Sequence, residues 1–237
     1  MESKAAGLTG PLSSRGDGIH SYVIRAGRMS DVQKDAMIRL YPVYGFAWDP
    51  ERTLGPADIL GREAPFVVEV GFGMGQATAD IAEALPDTAF LGFEVHAPGV
   101  GRLLAEIETR GIRNLRVSRH DAVEAIAAVL APGSVDGFHV FFPDPWPKKR
   151  HHKRRIMNAA FVRLMSSRLK PGGYIYYATD WEEYAEATLE TLLAEPTLEN
   201  AHERWAERRS WRPVTKFERR AIEDGRPIRE LEFRRRT

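Results

Sequence analysis

Residues 66–75 read FVVEVGFGMG. The first five form an apolar run of strand length interrupted only by Glu69, the pattern of a strand covered on both faces rather than of one that alternates. Gly71, Gly73 and Gly75 follow at alternate positions, where they let the backbone turn sharply and approach a ligand before a helix begins. A strand, a glycine turn and a helix in that order open a parallel α/β sheet, so this stretch decides how its neighbours are read.

Downstream, strand-like and helix-like segments alternate. The pattern predicts strands over 66–70, 89–94, 115–119, 135–142 and 173–179, and helices over 75–85, 98–111, 121–130, 155–169 and 181–194. The expected fold is α/β, a doubly wound, mostly parallel sheet with helices on both faces. Leu169-Lys-Pro-Gly-Gly173 reads as a helix stop before the next strand. The segment beyond 205 is expected to add strands at the sheet edge, with a helix between them. Upstream, Ser30-Asp-Val-Gln33 has capping-box spacing, and Val32, Ala36, Met37 and Leu40 then fall on one face of a helix over 30–41. Residues 1–25, rich in Gly, Ser and small residues, read as a flexible tail, and 26–237 as a single domain.

Composition bounds the function. The 237 residues are 43% hydrophobic, enough for a sizeable core, and the net charge of +1 means that attraction for a polyanion must come from local clusters. Such clusters exist. Lys148–Arg155 holds six formal cations, and from His202 onward eleven Arg and one Lys face seven acids. With no cysteine there is neither a disulfide framework nor a thiolate metal site. No signal-peptide core and no run of 18 apolar residues is present, so a soluble cytoplasmic protein without a membrane partner is expected, and no obligate protein partner is evident.

In doubly wound sheets, ligands bind beyond the carboxyl ends of the strands. Four acids sit at four such ends: Glu69, Glu94, Asp121 and Asp144. Glu94 lies nineteen residues after Gly75, where a carboxylate accepts hydrogen bonds from the ribose of an adenosine-containing ligand. The glycine spacing is not Gly-x-Gly-x-x-Gly, because position 76 is Gln, and carboxylates repel a pyrophosphate. The set suits a cationic ligand bearing an adenosine and an amino group, namely S-adenosylmethionine. Strand four then runs into FFPDPWPKKRHHKRR at 141–155, an acid between prolines followed by eight basic or imidazole side chains.

These stretches, with GFEVHAPGVGR, NLRVSRHDA, LKPGGYIYYATDWEEYA and RPVTKFERR, resemble the tRNA (guanine-N7-)-methyltransferase family. The resemblance covers about Gly27 to Arg235 and implies a Rossmann-like, seven-stranded class I methyltransferase fold that uses S-adenosyl-L-methionine, releases S-adenosyl-L-homocysteine and needs no metal. It implies cofactor contacts from Glu69, Gly71, Gly73, Glu94, Asp121 and Asp144, with Asp144 also catalytic. It implies a substrate site of Lys148, Asp180, Thr215, Lys216, Phe217 and Glu218, and RNA contacts from Arg150, His151, His152, Lys153, Arg154 and Arg155. Its partner is tRNA, and its target the guanine at position 46 in the variable loop. Pro147 stands where many members carry His.

The chemistry fits the residues. Guanine N7 carries an in-plane lone pair, so attack on a sulfonium methyl needs no base to remove a proton first. A fixed carboxylate at Asp144, stiffened by Pro143, Pro145 and Pro147, favours the cation that develops on guanine. The basic run would grip phosphates, Glu218 or Asp180 would accept from the guanine N1–H and amine, and Lys148 would meet O6. Trp146, Trp181 and Phe217 could stack on a flipped base, although aromatics near a sheet's end more often belong to the core. His151 and His152, adjacent in sequence, cannot share a helical face and so do not suggest a metal site. An amino methyltransferase with an Asp-Pro-Pro-Tyr type of loop and a non-catalytic RNA-binding module are the competing readings.

Overall fold

In the computed structural model, residues 19–23 and 28–237 are described, and most of the tail expected over 1–25 lies outside them. The strands are β1 Phe66–Val70, β2 Ala89–Phe93, β3 Leu115–Ser118, β4 Val135–Phe141, β5 Leu169–Thr179, β6 Leu198–Asn200 and β7 Arg229–Arg235. They form a seven-stranded sheet in the order β3-β2-β1-β4-β5-β7-β6. The chain divides into two compact units, one over 28–131 and one comprising 19–23 with Pro132–Thr237.

In the first unit β1, β2 and β3 are parallel, with Phe66 opposite Ala89 and Phe90 opposite Leu115. Its helices are α1 Asp31–Arg39, α2 Tyr41–Tyr44, α3 Ala57–Leu60, α4 Gln76–Ala84, α5 Ala97–Arg110 and α6 Ala122–Val129. Every residue of β1 is buried, as its unbroken apolar run requires. The inner face of α5, Val100, Leu103, Leu104 and Ile107, is fully buried, and each such side chain contributes about 1.5–3 kcal/mol. Ser30 caps α1 with the expected reciprocal bonds to Gln33. Ala36, Met37 and Leu40 pack inward, but Val32 in the first turn is 68% exposed and does not join that face.

In the second unit β4 and β5 are parallel, while β7 is antiparallel to both β5 and β6. A 3-10 helix spans Lys149–Arg154, followed by α7 Ala159–Arg168, α8 Glu182–Leu193 and α9 Lys216–Glu223. The helix predicted from 155 begins at Ala159 because the Asn158 side chain accepts from the Phe161 N–H and caps it there. LKPGG is not a stop between elements but the start of β5. Leu169 pairs with Val135 and Tyr174 with Gly137, so Lys170–Gly173 bulge out of register between them. The strand expectation beyond 205 also changes. β7 is an inner strand, and the edge strand β6 precedes 205. The unit's core joins Phe138, Val140, Ile175, Tyr177, Leu231 and Phe233 to Phe161, Val162, Met165, Tyr184 and Leu192.

Candidate active site

The first unit builds a turn flanked by carboxylates. Gly71, Gly73 and Gly75 have φ of +73°, +58° and +76°, a region that disfavours L side chains. Glu94, one residue past β2, closes this turn. Its Oε2 accepts from the Gly73 N–H at 2.8 Å, and its Oε1 accepts from the Val95 and His96 N–H groups at 2.7 and 2.9 Å. The turn also lies against α5, since a Cβ on Gly99 would collide with the Gly73 carbonyl oxygen.

Glu69 points from β1 at 4% exposure, and burial pushes its carboxyl up to about 7, with the Thr78 hydroxyl opposing and the Glu94 charge adding to the rise. Burial likewise raises Glu94, against the pull of its three amides. Among the described residues neither acid pairs with Lys or Arg. Two carboxylates without a counter-charge beside an open backbone turn favour a cation. Asp121 is buried and caps α6, its Oδ1 accepting from the Val123 N–H at 2.9 Å. Beside it, His120 stacks on Trp48 with ring centroids 3.7 Å apart and planes 5° apart, a pairing that no sequence pattern announced.

The second unit carries Asp144. After the last rung of β4, where the Phe142 N–H donates to the Ala178 carbonyl at 2.8 Å, the chain enters a loop with Phe142 at φ +47° and Trp146 at φ +46°. Left-handed backbone at side-chain-bearing residues costs about 1–3 kcal/mol each and concentrates at functional sites. Between them Asp144 is exposed, and its carboxylate accepts no hydrogen bond among the described residues.

Beyond it Lys148, Lys149 and Arg150 are exposed with no acid beside them, and Lys153 is likewise exposed and unpaired among the described residues. Arg154 lies 5.1 Å over the Trp146 ring and reaches the His20 carbonyl at 3.5 Å, while the Trp146 indole N–H donates to the Ser21 carbonyl at 3.3 Å. Partial desolvation, followed by the cations around it, lowers the pKa of His151. Arg155 differs from these neighbours in being buried.

Thr215 and Glu218 form a capping box at the start of α9. Arg212, which no sequence pattern singled out, is 1% exposed and donates to Glu218 Oε2 and Oε1 at 2.8 and 2.9 Å and to Glu230 Oε1 at 2.5 Å. Tyr176 donates its hydroxyl to the other oxygen of Glu230. Glu218 is therefore committed to Arg212 and to its own helix cap, and Asp180 is paired with Arg226. Phe217 is 63% exposed, Trp181 36%, and Trp146 half-buried, so none of the three aromatics belongs to the core. Among the described residues no group of three or more His, Asp or Glu could hold a metal ion, and no helix is long and apolar enough to cross a membrane.

The chain is similar to known proteins. A family model described as "Putative methyltransferase" matches residues 63–231. The 16S rRNA methyltransferase KamB superposes with a TM-score of 0.56 at 16% identity over 76% of this chain and 92% of its own. A 16S rRNA (adenine(1408)-N(1))-methyltransferase from Catenulisporales acidiphilia, solved with its cosubstrate SAM, gives 0.53 at 18% identity over 81% and 93%. The protein thus has the Rossmann-like fold of class I methyltransferases. A tRNA (guanine-N(7)-)-methyltransferase of Paraburkholderia xenovorans strain LB400 is 51% identical over 218 residues, 92% of this chain and 84% of that protein. The chain belongs to the tRNA (guanine-N(7)-)-methyltransferase family.

Proposed function

We propose that the protein transfers a methyl group from S-adenosyl-L-methionine to N7 of guanine 46 in the variable loop of tRNA, forming 7-methylguanosine in the cytoplasm. The observation that carries this reading is the second unit's loop, where an exposed Asp144, without a hydrogen-bond partner among the described residues, sits between two strained residues and leads into cations that are likewise unpaired there. Half identity to a named relative over nearly the whole chain supports the same reaction.

The cofactor fits the first unit's donor set, because buried Glu69 and half-buried Glu94 lack a cationic partner among the described residues and the glycine turn leaves the backbone at Gly71 and Gly73 open. S-adenosyl-L-methionine supplies, when bound, a sulfonium methyl that a lone pair can attack. Glu69, Gly71, Gly73, Glu94 and Asp121 would hold it through its ammonium, its main chain and its nucleoside. Asp144 would meet both cofactor and base. There its carboxylate favours positive charge as it appears on the guanine and removes no proton, since N7 has none.

Lys148 would donate to the guanine O6, and Thr215, Lys216 and Phe217 would frame the base, with Glu218 setting the start of α9 through Arg212. Asp180 would serve guanine only by exchanging its bond to Arg226 for one to the base. Lys148–Arg154 would bind the phosphates that bring the base in, which is a backbone grip without sequence preference.

The test is methyl transfer from labelled S-adenosyl-L-methionine to unmodified bulk tRNA, followed by chemical cleavage at 7-methylguanosine. Cleavage at one variable-loop guanosine is expected. Label that resists cleavage would instead identify an amino methyltransferase. Asp144→Asn should lower kcat by about 10²–10³-fold with tRNA affinity retained. Equal loss of both would make Asp144 a structural acid.

A further inference from the structure

Arg155 stands at the end of the basic run, yet its surroundings are unlike those of the cations before it. Its side chain is 7% exposed. The Nε–H donates to the Pro145 carbonyl at 2.9 Å, and the two terminal nitrogens donate to Oε1 and Oε2 of Glu183 at 3.0 and 2.5 Å. The guanidinium also lies 4.6 Å over the Tyr184 ring. Both Glu183 and Tyr184 belong to α8, and the hydrogen bonds from Arg155 hold the Glu183 carboxyl below its usual range. One planar cation therefore spans a rigid helix and the residue after Asp144.

Apart from the Trp146 side chain, which donates to the Ser21 carbonyl and stacks with Arg154, the loop's main chain has little else to hold it. Pro143, Pro145 and Pro147 donate no backbone hydrogen bond. Among the described residues, no backbone hydrogen bond other than that from Arg155 reaches the main chain between 143 and 147. Trp146, immediately after Pro145, is one of the two residues in left-handed backbone. Such a conformation persists only where surrounding structure over-determines it.

We propose that Arg155 is a positioning residue for Asp144, fixing the Pro145 carbonyl against α8, and not a phosphate contact. To reach a phosphate, its guanidinium would have to leave Glu183 and release the loop. The assignment rests on the functional reading above, in which Asp144 acts on the transferred methyl. The basic run then has two roles, with Lys148–Arg154 meeting the polyanion and Arg155 fastening the acid.

These roles predict opposite responses in Arg155→Gln and Glu183→Gln. The measurements are the single-turnover rate of methyl transfer at saturating tRNA and the slope of log Kd against log salt concentration, with wild type alongside. A positioning role gives Arg155→Gln a rate lower by about ten- to a hundredfold with the salt slope unchanged, because a displacement near 1 Å costs on that scale. Glu183→Gln, on a side chain 58% exposed and so tolerated by the fold, lowers the rate in the same direction. A phosphate contact gives the reverse: Arg155→Gln flattens the slope by about 0.7–0.9 at intact saturated rate, and Glu183→Gln frees Arg155 and tightens binding. That pattern overturns the assignment, as does a Glu183→Gln protein with wild-type rate. If wild type itself forms no 7-methylguanosine, the functional reading fails and this assignment with it.

Discussion

Lys148–Arg155 and the segment from His202 onward both concentrate cations, but the second unit uses them in different ways. In the later segment most of the arginines are matched with acids: Arg204 with Glu186, Arg208 with Glu218, Arg209 and Arg234 with Glu232, Arg212 with Glu218 and Glu230, Arg226 with Asp180 and Asp224, Arg229 with Glu182, and Arg236 with Glu199, while Arg219 and Arg220 on α9 are exposed and face no acid among the described residues. In the earlier run Lys148, Lys149, Arg150 and Lys153 face no acid among the described residues, and only Arg155 is locked to one. A count of charges cannot separate the two stretches, because what differs is whether the fold has already supplied the partner. In the proposed function, the charges of the earlier run left without one meet the RNA, and Glu69 in the first unit is the same case with the sign reversed, meeting a cation.

Removing Arg212 should produce the largest effect. Arg212→Met leaves Glu230 buried without a counter-charge and Glu218 with only Arg208 at 3.7 Å, and a loss of about 3–5 kcal/mol is expected in urea denaturation at unchanged m-value. A loss below about 1 kcal/mol would mean that the matched arginines do not hold the fold.

Glu69 comes next. Its folded pKa of about 7 lies above the usual carboxylate range, so between roughly pH 4.5 and 7 the folded protein keeps a proton that the unfolded chain releases. Stability must therefore fall as pH rises across that window, by about 3 kcal/mol in all, and level off above it. Glu69→Gln should remove that contribution of about 3 kcal/mol, leaving only the smaller slope from other shifted acids such as Glu94. The same proton should be released when the cationic cofactor binds near pH 6, which calorimetry in buffers of different ionisation heat would detect.

The contrast between the stretches is sharpest in salt. Arg154→Ala should weaken tRNA binding and flatten the salt slope by about 0.7–0.9, whereas Arg204→Ala should leave the slope alone. A slope changed equally by both would erase the difference between the stretches. The smallest effect belongs to stability in Arg204→Ala, where an exposed pair contributes about 0–1 kcal/mol, within reach of a thermal melt.

Much of the architecture was legible because it is periodic. The runs at 66–70, 89–94 and 115–119 fall within a residue of β1, β2 and β3, and Ser30 and Gln33 announce α1 through purely local chemistry. The three residues of β6 are too few to show a period, and LKPGG resembles a stop because a bulge within a strand uses the same residues as a turn. The acids at or after the ends of β1 to β4 were visible as a series, but their partners were not. Glu183 lies 28 residues from Arg155, and Arg212 meets Glu218 and Glu230 only after α9 and β7 have folded back. Burial and pairing across such separations are tertiary facts, so a basic run could be located from sequence while the member that stays inside it could not.

The ends of the sheet bear on how the protein behaves when it is concentrated. At one end β3 is four residues long, and its Val117 carbonyl already accepts from the Phe46 N–H at 2.8 Å. At the other, β6 is only three residues long, with Arg236 and Glu199 paired beside it. Short, charged or covered margins offer a foreign strand almost no ladder to extend. Crowded at high expression, the chain has little template for adding copies of itself edge to edge, a protection supplied by geometry rather than by net charge.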